Sequence, residues 1–422
     1  MSSIDENLAF LPATELRELI VRKEVSPIDI TRLYLERINR LDPQLHSYLT
    51  VTSEIAIEDA RKAEQAVMAG EELGPLHGIP ISIKDLQMTK GVRTTGGSLA
   101  YKDRIPEADC AVVERVLAAG AIMLGKTNSP EFGLLGANEN RLGDPCRNPW
   151  NPERTSGGSS GGAAASIAAG LSSVATGGDG GGSIRIPASF NGIYGIKPTQ
   201  GRVSNYSGVN SISAANYTSQ QGGLTRTVRD SALMLQVLSG YDSRDPGSLR
   251  APAPDFMAAT ERDVSGFRIG WSPDFGGISV DAEVAEITKG AIEAFSELGC
   301  SVDQSSLKLE NPFDPWLVIF AASAYVSNGH LLDDPADPLT WYGKWAIEQG
   351  RDVTTTDYVR ALGIRNQMIH KFEDEFETFD VLVSPTMPIT AFPTDKYPQK
   401  IGDQDPYPNP GWGFVPFTHP IN

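Results

Sequence analysis

Residues 156–187 read SGGSSGGAAASIAAGLSSVATGGDGGGSIRIP. Two glycine–serine loops in this stretch flank an alanine-rich segment and a short apolar run, Ser173–Thr176, that is suited to a buried strand. Two more apolar runs, Ile79–Ile83 and Ala121–Leu124, lie upstream and are separated by a helix that we expect Asp109 to cap. Strands that alternate with helices in this way predict an α/β fold with a largely parallel or mixed sheet.

The regions around this core follow a simple order. Residues 1–70 predict N-terminal helices, one of which starts at Ser26-Pro27, an N-cap followed by proline at the first helical position. We expect residues 71–242 to form a catalytic core and residues 262–422 a second half, within a single domain spanning residues 1–422. The elements predicted in the second half are the strands Phe267–Trp271 and Val381–Val383 and the helix Ala282–Leu298.

The composition argues against several classes of protein. The chain has 422 residues, a formal net charge of −17 and 40% hydrophobic residues, which is long and apolar enough to bury a core. The acidic excess argues against a protein that follows nucleic-acid phosphates. Three cysteines are too few for a disulfide framework and favour a reducing compartment.

The first ten residues lack the features of a signal peptide, and no stretch has the composition of a membrane span. We therefore expect a cytoplasmic protein without membrane or nucleic-acid partners.

Two short motif matches have structural explanations. Residues 120–127 fit the P-loop pattern G-x-x-x-x-G-K-[ST], but their apolar spacer Ala-Ile-Met-Leu favours a buried strand over an exposed phosphate loop. Residues 157–161 fit the nucleophile-elbow pattern G-x-S-x-G, which requires a later acidic residue and a histidine. The histidines late enough in the chain, His330, His370 and His419, have no recognisable catalytic context. No metal-ligand cluster occurs either, so we expect neither a metal nor an organic cofactor.

A lysine and two serines form a more specific combination. Lys84 ends the apolar strand in GIPISIKD, Ser159 lies in SGGSSGG, and Ser183 lies in GGDGGGSIRIP. A desolvated lysine can lose its proton and act as a base, and a serine between it and a second serine can relay a proton. The glycines before Ser183 leave backbone N–H groups uncovered, as an oxyanion hole requires. Taken singly, these features would favour flexible loops and a lysine in a structural role.

The wider sequence resembles the amidase signature family, the Ser–Ser–Lys amidohydrolases, from the N-terminal helices to near the end of the chain. Besides the two serine loops, the matching segments are Gly74–Pro80, Thr94–Ser98, Gly125–Asn128, Asn148–Pro152 and Gly195–Thr199. The resemblance implies the amidase-signature fold, a mixed twisted β-sheet core covered by α-helices on both faces. It also implies a core strand where the P-loop pattern occurs.

The resemblance assigns a role to each matching site residue. It implies Lys84 as the general base, Ser159 as a bridging serine with a cis peptide, and Ser183 as the nucleophile. The backbone N–H groups that match the oxyanion hole are those of Gly180, Gly181, Gly182 and Ser183. The residues that match positions supporting the serine loops are Ser160, Asp179 and Arg185.

Two departures from the family pattern bear on function. The nucleophile loop has Gly-Gly-Gly-Ser where many relatives, including glutamine-dependent amidotransferase subunits, have Thr-Gly-Gly-Ser. This difference favours the branch of stand-alone amide hydrolases that includes nylon-oligomer and fatty-amide hydrolases. The chain ends at Asn422, where relatives typically continue with a Gly-x-Pro-Ala segment, so we expect a truncated C-terminus.

We therefore predict an amidase that hydrolyses a linear or cyclic carboxylic amide to an acid and an amine or ammonia through a seryl acyl-enzyme. The alternatives are the glutaminase (A) subunit of a tRNA-dependent amidotransferase, a catalytically incomplete amidase fragment, and a P-loop nucleotide binder. The expected partner is a small-molecule amide, and we allow for a homodimer. An aromatic-rich helical insert either lines a partly apolar pocket or packs in the core; its candidate pocket residues are Trp316, Phe320, Trp341 and Trp345.

Overall fold

Helices and strands alternate through most of the structure, a computed structural model that describes residues 5–209 and 218–422. Two segments lie outside the described residues. Residues 1–4 belong to the ten-residue N-terminus in which the sequence predicts no signal peptide, and residues 210–217 belong to the predicted catalytic core. The helices are α1 (Ala13–Val21), α2 (Pro27–Leu45), α3 (Ser53–Ala69), α4 (Ala111–Ala118), α5 (Gly161–Ala168), α6 (Arg185–Asn191), α7 (Val228–Leu238), α8 (Phe256–Ala259), α9 (Ala282–Glu297), α10 (Phe313–Asn328), α11 (Trp341–Arg351) and α12 (Thr355–Thr378). The strands are β1 (Tyr48–Val51), β2 (Pro80–Lys84), β3 (Ile122–Thr127), β4 (Arg147–Asn148), β5 (Asn151–Thr155), β6 (Val174–Asp179), β7 (Tyr194–Gly195), β8 (Gln220–Thr225), β9 (Arg268–Trp271), β10 (Ser301–Gln304) and β11 (Val381–Val383).

The central sheet is mixed, with the strand order β1-β3-β2-β6-β8-β7 in the described part of the chain. Strands β3, β2 and β6 are parallel, and β1, β8 and β7 are added in antiparallel pairs. The three apolar runs predicted as strands form β2, β3 and β6, which confirms the predicted α/β fold with a mixed sheet.

Helices cover both faces of this sheet. Successive residues of a strand point to opposite faces, and on β6 Val174 joins the large apolar cluster formed with the N-terminal helices. The next residue, Ala175, joins a second cluster with Ala163 and Ile167 of α5. The two clusters therefore hold helices on opposite sides of the same strand.

The second half forms its own three-stranded sheet of parallel strands in the order β10-β9-β11. The predicted strands Phe267–Trp271 and Val381–Val383 are confirmed as β9 and β11. The helices of the aromatic insert, α10 and α11, pack against each other and contribute to a third apolar cluster, which also contains Ile186 beside the nucleophile loop. Within the described residues, no helix combines the length and the apolar character needed to span a membrane.

One of the two predicted helix caps is confirmed and the other is wrong. Ser26 caps α2, because its hydroxyl accepts hydrogen bonds from the N–H groups of Ile28 and Asp29. Asp109 does not cap α4: the N-cap is Cys110, and the Asp109 carboxylate accepts the N–H of Lys90 instead (2.7 Å).

The P-loop hypothesis is wrong, as its apolar spacer indicated. Residues Ile122–Thr127 form the fully buried strand β3. The Lys126 ammonium lies inside the protein and donates to the Gln87 carbonyl and the Thr89 hydroxyl, each at 2.5 Å. A phosphate group has no access to a lysine in this position.

Candidate active site

The predicted site residues meet at one edge of the central sheet. Lys84 and Asp179 end the neighbouring parallel strands β2 and β6, and parallel strands present their carboxyl ends at the same edge. Ser159 lies two residues before α5, and Ser183 lies two residues before α6. The fold thus brings three separate sequence segments together into one cluster, since Asp179 and Ser183 belong to the same loop region.

Lys84 is buried against the first serine loop, with 1% of its surface exposed. Its Nζ lies 2.7 Å from Ser159 Oγ, 2.8 Å from Ser160 Oγ and 3.2 Å from the Gly178 carbonyl oxygen. Burial lowers the pKa of Lys84 to about 7, although the negative charge of Asp179 acts in the opposite direction. A substantial fraction of this lysine is therefore neutral near neutral pH.

The two serine loops are joined through their backbones and line a common cavity. The Ser160 N–H donates to the Ser183 carbonyl (3.0 Å), and the peptide bond between Gly158 and Ser159 is cis. Ser159 and Ser183 both line the cavity. The hydrogen bonds of the described residues include one from Lys84 Nζ to Ser159 Oγ and none between the hydroxyls of Ser159 and Ser183.

Asp179 is buried beside the nucleophile loop and forms an ion pair with the partly buried Arg185. Arg185 Nε and Nη2 donate to the two carboxylate oxygens at 2.9 and 2.8 Å, a bidentate arrangement. Burial alone would raise the pKa of Asp179, but the charge and hydrogen bonds of Arg185 outweigh it and hold the pKa below the usual range. Asn422 Nδ2 donates to the same carboxylate (2.9 Å).

One member of the predicted oxyanion hole has another partner. The Gly182 N–H donates to Asp179 Oδ1 (2.7 Å), so this amide is not available to a substrate oxygen in the described structure. Among the hydrogen bonds of the described residues, the N–H groups of Gly180, Gly181 and Ser183 have no acceptor. These three amides are the ones left to receive a developing oxyanion.

The cavity at the two serines has a volume of about 150 Å³ and mixed walls. Trp316 and Phe320 of the aromatic insert line it, whereas Trp341 and Trp345 do not. Trp341 is 53% exposed and donates to Glu139. The apolar wall also contains Leu86, Phe132, Leu135, Ile186, Trp412 and Val415, and the polar wall contains Gln87, Ser219 and Gln221.

The nucleophile-elbow hypothesis has no geometric support. Ser159 Oγ contacts Lys84, not a histidine. His370 pairs with Glu373, and the ring of His419 bonds the Val415 carbonyl. Among residues 5–209 and 218–422, no group of three or more His, Cys, Asp or Glu side chains is placed to hold a metal ion.

Comparison with known proteins identifies the family. The family model named Amidase matches residues 29–422. The chain belongs to the amidase signature family.

The A subunit of the glutamyl-tRNA(Gln) amidotransferase from Moorella thermoacetica is 38% identical over 94% of this amidase and 85% of the relative. An acylamidase from Rhodococcus erythropolis is 35% identical over 93% of this chain and 82% of its own. The solved structure of a bacterial aryl acylamidase superposes with a TM-score of 0.90 at 31% identity, covering 98% of this chain and 87% of that one. This amidase is therefore an amide-hydrolysing enzyme.

Several residues of the site of this amidase are absent from the sequence-based prediction. Trp412 lies in a glycine- and proline-rich segment that carries no helix or strand pattern, so the sequence contains no signal that it reaches the cavity. Gln87 lies three residues after Lys84, and its amide donates to Gln221 (3.0 Å) in the polar wall. Thr418 and Asn422 contact the nucleophile loop from the far end of the chain. Proximity in sequence could have indicated Gln87 but none of the others.

Proposed function

We propose that this amidase hydrolyses the C–N bond of a small, neutral amide through an acyl-enzyme on Ser183. The observation that carries the proposal is the 2.7 Å contact between Ser159 Oγ and a buried lysine whose pKa is lowered to about 7, in a cavity that also contains Ser183. A neutral amine is a sufficient base for a serine only where burial removes the competing solvation of its charged form.

In the acylation step, Lys84 Nζ takes the proton of Ser159, and Ser159 takes the proton of Ser183. Ser183 Oγ then attacks the carbonyl carbon, and the carbonyl oxygen acquires the negative charge. The free N–H groups of Gly180, Gly181 and Ser183 receive that oxygen, and stabilisation of this kind is commonly the largest single contribution to catalysis. Ser159 returns a proton to the nitrogen as the C–N bond breaks, which releases the amine.

In the deacylation step, a water molecule replaces the amine. The same relay removes a proton from the water as its oxygen attacks the acyl carbon, and the C–O bond to Ser183 breaks with return of the proton to Ser183. The net reaction adds one water to the amide and yields an acid and an amine. Lys84, Ser159 and Ser183 end in their starting protonation states.

The supporting residues have a role in this scheme. Asp179 holds the N–H groups of Gly182 and Ile184, at 2.7 and 3.1 Å, and so fixes the loop on both sides of Ser183. Arg185 neutralises the Asp179 charge, which limits the electrostatic stabilisation of a protonated Lys84. Ser160 gives Lys84 a second hydroxyl contact. We assign all three to positioning.

The cavity wall favours a neutral substrate over glutamine. Among the described residues that line the cavity, only Lys84 and Asp179 carry ionisable groups, and Asp179 is already paired with Arg185. Free glutamine brings an ammonium and a carboxylate, and burying either one without a partner is costly. An apolar or aryl group fits the walls formed by Phe132, Trp316, Phe320 and Trp412.

The glutaminase (A) subunit of a tRNA-dependent amidotransferase is the second candidate function, because the relative from Moorella thermoacetica shares 38% identity. That function would require partner subunits. The homodimer and the cytoplasmic location stay predictions from the sequence.

A substrate panel tests the proposed function. The purified protein is incubated with 4-nitroacetanilide, benzamide or L-glutamine, and 4-nitroaniline or ammonia is measured, with Ser183→Ala as the background control. We expect at least one neutral amide to give a kcat/KM at least about 10²-fold above that of glutamine, since a site that leaves buried charge unpaired rejects such a ligand strongly. Preferential hydrolysis of glutamine would favour the amidotransferase function instead.

A further inference from the structure

The peptide that joins Gly180 and Gly181 is held by a tryptophan of the substrate cavity. Trp316 Nε1 donates to the Gly180 carbonyl at 2.8 Å. The neighbouring peptide, between Gly181 and Gly182, is held at both ends: Thr418 Oγ1 donates to the Gly181 carbonyl (2.7 Å), and the Gly182 N–H donates to Asp179. The first peptide differs, because its N–H has no acceptor among the described residues.

The hydrogen bond from Trp316 to the Gly180 carbonyl sets the direction of the unpaired Gly181 N–H. In a planar trans peptide the C=O and N–H bonds point in opposite directions, so holding the Gly180 carbonyl also fixes the Gly181 N–H. Glycine lies on both sides of this peptide, and glycine tolerates many backbone conformations. Within the described residues, the Trp316 indole is the one hydrogen-bond partner that orients this peptide.

The indole ring is itself tightly held and faces the substrate cavity. Trp316 is 6% exposed, stacks on Phe320 with ring centroids 4.6 Å apart, and contacts Trp412 at 6.2 Å. A Cβ atom on Gly181 would lie 2.5 Å from its Cζ2, so the loop and the ring fit together without spare room. The ring is part of the cavity wall, where a group entering the cavity would pack against it.

We propose that Trp316 is a positioning residue that couples recognition of the substrate to the oxyanion hole. Its ring forms the wall for an aryl or other apolar part of the amide, and its N–H aims the Gly181 amide at the substrate oxygen. This inference rests on the proposed function and adds a residue to it. Interactions that become effective only in the transition state raise kcat more than they lower KM.

The rate at which a fluorophosphonate labels Ser183 tests this inference without a known substrate, because the phosphonyl oxygen occupies the oxyanion hole. Trp316→Phe keeps an aromatic ring and removes the N–H. We expect it to label at least about 10-fold more slowly than the wild type, less than the ~10²–10³-fold loss typical of deleting a direct oxyanion donor. Trp345→Phe is the matched control, since Trp345 packs on Trp412 outside the cavity, and it should label within about 2-fold of the wild type.

Steady-state kinetics on 4-nitroacetanilide provide a second measurement. Trp316→Phe should lower kcat about 10-fold with a change in KM below about 3-fold, and the midpoint of the acid limb should stay near the wild-type value. If the variant is labelled at the wild-type rate, or if its lower activity comes only from a higher KM, then Trp316 lines the cavity without positioning the oxyanion hole. A shifted acid limb would overturn the proposal by placing the effect on Lys84.

Two controls keep the outcomes distinct. If Trp316→Phe does not fold cooperatively, β-(3-benzothienyl)alanine at position 316 replaces only the N–H with sulfur, and the same rate comparison applies. If the wild type itself leaves Ser183 unlabelled, the proposed function fails, whereas a labelled wild type with an equally fast Trp316 variant rejects this inference alone.

Discussion

Lys84→Met is expected to lower kcat/KM by about 10²–10⁴-fold at pH 7.5, the usual contribution of a general base. In the proposed mechanism Lys84 acts in its neutral form, and burial lowers its pKa to about 7. Wild-type activity should therefore rise with pH, with a midpoint near 7, and reach a plateau above pH 8. The residual activity of the methionine variant should lack this acid limb. A pH profile of kcat/KM measures both effects.

The same substitution should stabilise the protein, which separates loss of the base from loss of the fold. A lysine whose pKa is lower in the folded than in the unfolded state binds more protons when unfolded. The contribution of Lys84 to the stability of the wild type therefore falls as pH drops from about 10.5 to about 7. Replacing Lys84 by methionine removes a cost of at most about 5 kcal/mol below pH 7, and the gain disappears above pH 10.5. Ser160 and Gly178 lose a hydrogen-bond partner in the variant, which reduces the gain in stability. Urea denaturation of both proteins at pH 6.5 and 10.5 measures the difference in their free energies of unfolding.

Lys90→Met is the matched control, because Lys90 is exposed and lies six residues away in sequence. We expect this variant to keep the wild-type pH profile of kcat/KM. Its free energy of unfolding should differ from the wild-type value by no more than about 0.5 kcal/mol. An acid limb that persists at the same midpoint in Lys84→Met would show that another group is the base.

Ser183→Ala is expected to lower kcat at least about 10⁴-fold, because removing a nucleophile disables the whole relay. The fold should be unaffected: Ser183 is only partly buried, and among the described residues its hydroxyl makes no hydrogen bond. Its melting temperature should match that of the wild type. Ser189→Ala, at an exposed serine of α6, is the matched control and should retain full activity.

Ser159→Ala should differ from Ser183→Ala in one respect. It breaks the relay but leaves the nucleophile, so slow formation of an acyl-enzyme on Ser183 should persist. Substantial turnover by Ser183→Ala, with none by Ser159→Ala, would contradict the assignment and make Ser159 the nucleophile.

The central strands could be predicted from the sequence because each one is a short apolar run that can be recognised from neighbouring residues alone. The apolar runs that became β2, β3 and β6 are bounded by turn residues, and each is too short for a helix. The separate sheet of β9, β10 and β11 was not predicted, since the pairing of three- and four-residue strands depends on tertiary contacts. The Asp109 cap failed for a similar reason: a contact with the Lys90 amide, 19 residues away in sequence, determines the role of its carboxylate.

The sequence indicated which residues lie together around the cavity more reliably than how their atoms are arranged. A lysine at a strand end and two serine loops are visible in the sequence, and the fold brings them together. Which glycine amides remain free is a property of one folded loop, where Asp179 takes the Gly182 N–H. The aromatic insert shows the same limit, since Trp316 faces the cavity and Trp341 faces solvent although both are tryptophans on helices of that insert.

Activation of Ser183 by Lys84 and Ser159 can be tested without a known substrate by covalent labelling. The purified protein is treated with a fluorophosphonate at pH 8, its intact mass is determined, and the adduct is mapped by peptide sequencing. We expect a single adduct on Ser183 that is lost in Ser183→Ala and forms far more slowly in Lys84→Met. An adduct on Ser159, or no adduct on a cooperatively folded protein, would contradict it.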